Sequence, residues 1–184
     1  MAALHQGIAD RLPLRQDFYE SWFTSAGLRH GTIGLAALVA VLSFLRQEGT
    51  AYEDVSRRAG EYAGEWTVDG LSPLRRRFIR ALPRRPRARL ALGVARNLVR
   101  TTYPGCHARV RIRRGAAEVL IRSSIFCGVR EASRAPLCGF YAAALANVLK
   151  SFDVPSAVRI AACQGMGDRR CRLTVRLRPD PDAR

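Results

Sequence analysis

Apolar positions recur at three- and four-residue steps from Asp17 to about Tyr103, and at two-residue steps beyond it. The first spacing is that of one helix face and the second that of a half-buried strand. The clearest helical case is "GTIGLAALVAVLSFL", Gly31–Leu45, with Ile33, Ala37, Val41, Phe44 and Leu45 on one side and small residues (Gly34, Ala36, Ala40, Ser43) over much of the rest. That run predicts a buried helix open to close approach by a neighbour, inside the domain or in a second subunit. In "TAYEDVSRRAGEYAGEW", Thr50 and Glu53 have the spacing of a capping box. "SPLRRRFIRAL" offers Ser72 as a cap and Pro73 at the first helical position. "PRRPR" then reads as a break before "ARLALGVARNLVR".

In "CHARVRIRR", Cys106, Ala108, Val110 and Ile112 alternate with His107, Arg109, Arg111 and Arg113. In the next run, "AAEVLIRSSIF", Ala117, Val119, Ile121 and Ile125 share parity, so the two predict an antiparallel hairpin. A helix over "PLCGFYAAALANVLKSF", opened by Pro136, precedes a second hairpin, "SAVRIAAC" and "CRLTVRL". The expected fold is α+β: a helical N-terminal half, then a β-β-α-β-β antiparallel sheet with helices packed on one face. No linker stands out, so residues 1–184 read as one domain, helical over about 17–103 and sheet-forming over about 104–178, with a disordered tail at 179–184.

Composition narrows the partners. The chain is 48% hydrophobic, enough for a core, and carries a net charge of +16. Such charge favours anionic partners, yet Lys150 is the only lysine among 31 basic residues, a bias that coding preference also produces. Nucleic acid is therefore not the expected partner. Fourteen arginines fall between Arg75 and Arg114 with no acidic residue between Gly70 and Ala117. This stripe fits a solvated helical face or a docking surface for phosphate or carboxylate. The opening residues lack the apolar core of a secretory signal. The longest apolar run has 15 residues, short of the roughly 20 that span a bilayer. A cytoplasmic location without a transmembrane segment is expected.

All five cysteines lie in the second half: Cys106, Cys127, Cys138, Cys163 and Cys171. Disulfides are not expected in a reducing cytosol, and Cys106 shares its strand's apolar parity, as a small buried hydrophobe does. The other four suit a tetrahedral zinc site: Cys138 at a helix start, where thiolates are stabilised, Cys163 and Cys171 flanking a turn, and Cys127 at the end of the preceding strand. The spacing has no close C-x-x-C pair. An iron-sulfur cluster, a redox thiol pair and four unconnected buried thiols remain open alternatives. His5, His30 and His107 place no partner for a catalytic cysteine.

From Cys106 to Leu177, and above all in "PLCGFYAAALANVLKSF" and "VRIAACQGMGDRRCRLTV", the chain resembles the 4-vinyl reductase domain family. That family shares a fold with TRAPP vesicle-tethering subunits and is similar to haem-type nitric-oxide sensors. In phenol-sensing regulators with this domain, the resemblance implies zinc ligands at Cys138, Cys163 and Cys171. Their glutamate three positions before the second of these cysteines is Ile160 here, a departure that Cys127 can replace.

The resemblance further implies a protein that encloses a hydrophobic or tetrapyrrole-like ligand, with Trp66, Phe126, Phe140, Tyr141 and Leu145 as candidate wall residues. Two alternatives stand beside it. One is a bacteriochlorophyll-pathway protein of the vinyl-reductase type, although no G-x-G-x-x-G or acid-base pair supports reductase chemistry. The other is a TRAPP-like interaction module, a homodimer or a partner-protein subunit joined through the Gly31–Leu45 helix.

Overall fold

The computed structural model of the chain describes residues 2–23, 34–113, 115–129 and 131–177. Helices α1 (Ala2–Arg11), α2 (Gln16–Glu20), α3 (Leu35–Gln47), α4 (Thr50–Asp69), α5 (Pro73–Ala81) and α6 (Arg84–Thr101) precede strands β1 (His107–Arg113) and β2 (Ala116–Arg122). Helix α7 (Gly139–Ser151) and strands β3 (Ser156–Ala162) and β4 (Cys171–Leu177) follow. The expected α+β order is what the chain adopts. The two hairpins join into one antiparallel sheet of order β1-β2-β4-β3, because α7 carries the chain across to the far edge.

The helices cover one face of this sheet. Ala108, Ala117, Val119, Ile121, Cys171, Leu173 and Val175 point into a core shared with α3, α4, α6 and α7. Ile112, expected on that face, lies at the uncovered end of β1 and is exposed. The opposite face carries Arg109, Arg111, Arg113, Arg122, Arg159, Arg172 and Arg176, brought together by the strand register, with Glu118 as their acidic neighbour. Part of the arginine stripe is thus a sheet face and part a helical one.

The closest helix contact is between α4 and α7. A Cβ on Gly60 would strike the Phe140 carbonyl and Ala143, and one on Gly64 would lie 2.9 Å from the Ala144 carbonyl oxygen. Within the described residues this close approach is made by the glycines of "GEYAG", while Gly34 has nothing within reach of a Cβ. Helix α3 buries Leu38, Val41, Leu42 and Leu45 but leaves Leu35 and Val39 exposed, while Ile33 lies outside the described residues.

Local signals fared unevenly. Ser72 caps α5, its hydroxyl accepting from the Arg75 N–H at 3.4 Å. The Thr50–Glu53 box does not form: Gly49 at φ +63° is the N-cap and no side chain caps it. The break expected at "PRRPR" is present but narrower: it falls at Leu82 and Pro83, the N-cap of α6, and Arg84–Arg87 already belong to that helix; Pro86 sits in the first turn, where N–H groups have no helical acceptor. Helix α1, which the periodicity missed, buries Leu4, Gly7 and Ile8 against α4. The predicted disordered tail lies outside the described residues.

Asp10 pins α1 to α4: its carboxylate accepts from Arg58 Nε at 2.8 Å and from the Tyr62 hydroxyl at 2.7 Å. The Arg58 hydrogen bond, ahead of those from Gln6 and Tyr62, holds its pKa down at about 2. A depressed carboxyl pKa contributes stability above the unfolded value near 3.8 that is lost as pH falls through about 2. Asp10→Asn should lower Tm by roughly 1–3 °C at neutral pH, and thermal melts of both proteins should converge as pH falls from 4 to 2. Gly60→Ala forces backbone apart and should cost about 1–3 kcal/mol, read as a drop in Tm of several degrees.

Candidate functional site

Three short segments meet beneath the sheet. Strand β2 ends at Arg122, earlier than the alternation predicts, because Ser123 takes φ +56° and turns the chain into a 3₁₀ turn, Ile125–Cys127. Cys127 thus stands in that turn and not at a strand end. Helix α7 opens at Gly139 with Cys138 as its N-cap, so Cys138 lies beside N–H groups that have no intrahelical acceptor. Between β3 and β4, a 3₁₀ turn (Gln164–Met166) is followed by Gly167 at φ +96°, a conformation that favours glycine. The Asp168 carboxylate closes this loop by accepting the Cys163 N–H at 2.9 Å.

These segments bring Cys127, Cys138, Cys163 and Cys171 together, all buried, with every Sγ within 4.8 Å of the others. Cys127 Sγ is 3.6 Å from Cys163 Sγ and 3.4 Å from Cys171 Sγ. None is disulfide-bonded. The backbone N–H of Leu137 donates to Cys163 Sγ and that of Gln164 to Cys171 Sγ, both at 3.3 Å. Hydrogen bonding with Cys127, then with Cys138 and Cys171, holds the Cys163 thiol far below the ordinary range. Bonds of the same kind, Cys127's first, push the Cys138 thiol up. Cys106 stands apart, buried against Tyr141 with its Sγ 3.8 Å from the hydroxyl.

The supports of this cluster come from the helical half. The Tyr52 hydroxyl donates to the Leu137 carbonyl at 2.8 Å, and Arg46 Nη2 donates to the Phe126 carbonyl at 3.0 Å. Gly165 lies so close to Leu137 that a Cβ there would be 2.8 Å from its Cδ1, and its carbonyl accepts the Ser133 N–H at 2.7 Å. Neither Tyr52 nor Arg46 was singled out by the sequence. Each reaches a backbone carbonyl some 80 positions away, a link without local periodicity.

A cleft of about 340 Å³ opens next to the cluster, between α1, α3, α4, α6 and the first turn of α7. Ala3, Leu38, Ala63, Leu98, Phe126 and Phe140 are among its walls, and Trp66 is at its partly exposed rim. Phe126 and Phe140 stack with centroids 4.5 Å apart. The hydroxyls of Thr67, Thr101 and Thr102, also in the lining, donate to carbonyls of their own helices, which leaves the wall largely apolar. Of the five expected wall residues, Trp66, Phe126 and Phe140 line this cleft, whereas Tyr141 and Leu145 are fully buried away from it. The described lining has no His, Cys, Met or Tyr that could serve as a haem axial ligand, and His30 lies outside the described residues.

No helix among the described residues is long and apolar enough to cross a membrane. No protein-family model matches the sequence, and no curated protein matches it. Solved structures do match in fold. A trafficking protein particle complex subunit 3 from Naegleria fowleri, covalently bound to palmitic acid, aligns with TM-score 0.53 and 14% identity, covering 73% of this chain and 82% of that one. The phenol-responsive sensory domain of the transcription activator PoxR, with phenol, aligns with TM-score 0.55 and 16% identity over 79% and 75%. An H-NOX domain from Shewanella oneidensis in the Fe(II)CO ligation state aligns with TM-score 0.56 and 11% identity over 97% and 96%. At these identities the likeness is one of fold, and it extends to the TRAPP-type and H-NOX folds that the sequence resemblance named.

Proposed function

We propose that the chain is a small-molecule-binding protein in which Cys127, Cys138, Cys163 and Cys171 hold one structural zinc ion beside an apolar ligand cleft. The observation that carries this reading is the packing of four thiols at single-ion spacing. A tetrahedral zinc with Zn–S near 2.3 Å sets its sulfurs about 3.8 Å apart, and the observed separations of 3.4 Å, 3.6 Å and at most 4.8 Å bracket that value. An iron-sulfur cluster needs its thiolates spread over several irons. Two sulfurs already accept backbone N–H groups, as metal thiolates do. When bound, zinc would supply no reaction chemistry: it would clip the β3–β4 loop and the 125–127 turn to the start of α7.

The cleft supports the ligand half of the reading. Its volume is at the low end for small-molecule pockets and its walls are mainly aliphatic and aromatic, which favours a small apolar or fatty ligand over a tetrapyrrole. Phe126 belongs to the cleft and its neighbour Cys127 to the cluster, so the two sites share one turn. Fold neighbours that carry phenol or palmitic acid support the same class. A second reading, an interaction module, is favoured by the exposed Leu35 and Val39 on α3; light scattering on the zinc-loaded protein distinguishes a dimer from a monomer.

Metal analysis of purified protein should find about one zinc per chain. Cys127→Ser should lose most of it and, with it, at least roughly 5 °C of Tm, while Cys106→Ser keeps its zinc. Iron with sulfide, or no metal in protein with four free cluster thiols, defeats the assignment. Ala63→Phe should fill the cleft and abolish the Trp66 fluorescence change produced by phenol or palmitate in a Trp22→Phe background, with zinc content unchanged.

A further inference from the structure

Helix α5 is built inside out. At about 100° per residue, Leu74, Phe78 and Ala81 share one side of it, within about 60° of each other, and Ile79 lies on the other. In a helix packed on a globular core the apolar side faces inward. Here Ile79 is buried, whereas Leu74 is 81% and Phe78 60% exposed. The inward side is anchored by polar groups: Arg76 Nη1 pairs with Asp69 at 3.0 Å, and Arg80 donates to the Ser151 carbonyl through Nε and Nη2 at 3.2 Å and 3.0 Å. The orientation is therefore held by specific contacts.

Arg75 and Arg77, both exposed, flank the outward apolar ridge on its two sides. The next helix adds the exposed Arg85 and Arg89 and the exposed Leu90. No acidic residue occurs between Gly70 and Ala117 to neutralise them.

We propose that α5, with the first turns of α6, is a peripheral docking face for an anionic lipid bilayer, in which Leu74 and Phe78 enter the acyl boundary while Arg75, Arg77, Arg85 and Arg89 meet headgroup phosphates. The chemistry selects the occupant. Arginine stems lie along apolar surface and extend their guanidiniums to the polar layer, as flanking residues of interfacial helices do. Nucleic acid would engage the arginines and leave Leu74 and Phe78 in water. A protein groove that takes a helix reads anchors at i, i+4 and i+7, and the third of these here is only Ala81. A bilayer takes a short two-residue ridge, and each arginine near its surface strengthens binding about fivefold.

Flotation of the full chain with phosphatidylcholine vesicles, with and without phosphatidylglycerol, tests this. The wild type should float with the anionic vesicles only. Leu74→Ser/Phe78→Ser should weaken partitioning at least about tenfold, and Arg75→Gln/Arg77→Gln several-fold. All four side chains are exposed, so Tm should stay unchanged in both variants. The proposal fails if neutral vesicles bind equally, if the Leu74/Phe78 variant binds like wild type, or if the chain ignores vesicles. It also fails if the chain instead binds a duplex oligonucleotide or self-associates through this face, shown by light scattering that the serine variant returns to monomer.

Discussion

Helix α7 is clamped between the glycine face of α4 and the inner face of the sheet, and both candidate sites depend on where that clamp leaves its first turn. Gly60 and Gly64 allow the two helix backbones to touch, which places Cys138 over the β3–β4 loop and Phe140 against Phe126. A side chain at Gly60 would push α7 outward and with it a sulfur and an aromatic wall. Close packing of this kind tolerates little adjustment, because interiors are as dense as organic crystals.

Around that first turn, the cysteine cluster and the cleft share parts. The 3₁₀ turn Ile125–Cys127 contributes two side chains to the cleft and one to the sulfur cluster. Its carbonyl at Phe126 is held by Arg46 from α3 and the neighbouring Leu137 carbonyl by Tyr52 from α4. A structural ion here would tie one wall of a cleft that α1 also lines, and α1 is held on α4 by the buried Leu4, Gly7 and Ile8 as well as by the Asp10–Arg58–Tyr62 contact.

The neighbours in fold carry palmitic acid, phenol and a CO-liganded iron centre, so structures alike in fold hold quite different molecules. Function on such a scaffold resides in the lining and not in the fold. In this chain the described lining offers aromatic rings, aliphatic side chains and hydroxyls already bonded to backbone. The arginines divide between the outer face of the sheet and the α5–α6 surface, two regions that local charge counts merge into one stripe.

The residues by themselves determined the element types: the period changes from helical to alternating near Tyr103, and a period-two run can satisfy its backbone only by pairing. They also determined that Cys138, Cys163 and Cys171 stand at a helix start and on both sides of a turn, since proline, glycine and parity mark those places locally. What only the tertiary structure decided was convergence and orientation. The alternation of "AAEVLIRSSIF" does not show that Ser123 turns the chain and puts Cys127 in a 3₁₀ turn, nor does the composition of Gly31–Leu45 show that Gly60 and Gly64 make the close contact. Phe140, Tyr141 and Leu145 lie on one helix, yet only Phe140 meets the cleft, because the direction of a side chain on α7 is set by neighbours far away in sequence. Periodicity encodes which face is apolar; what that face meets depends on long-range packing, and the outward ridge of α5 is the clearest case of a pattern whose meaning required the fold.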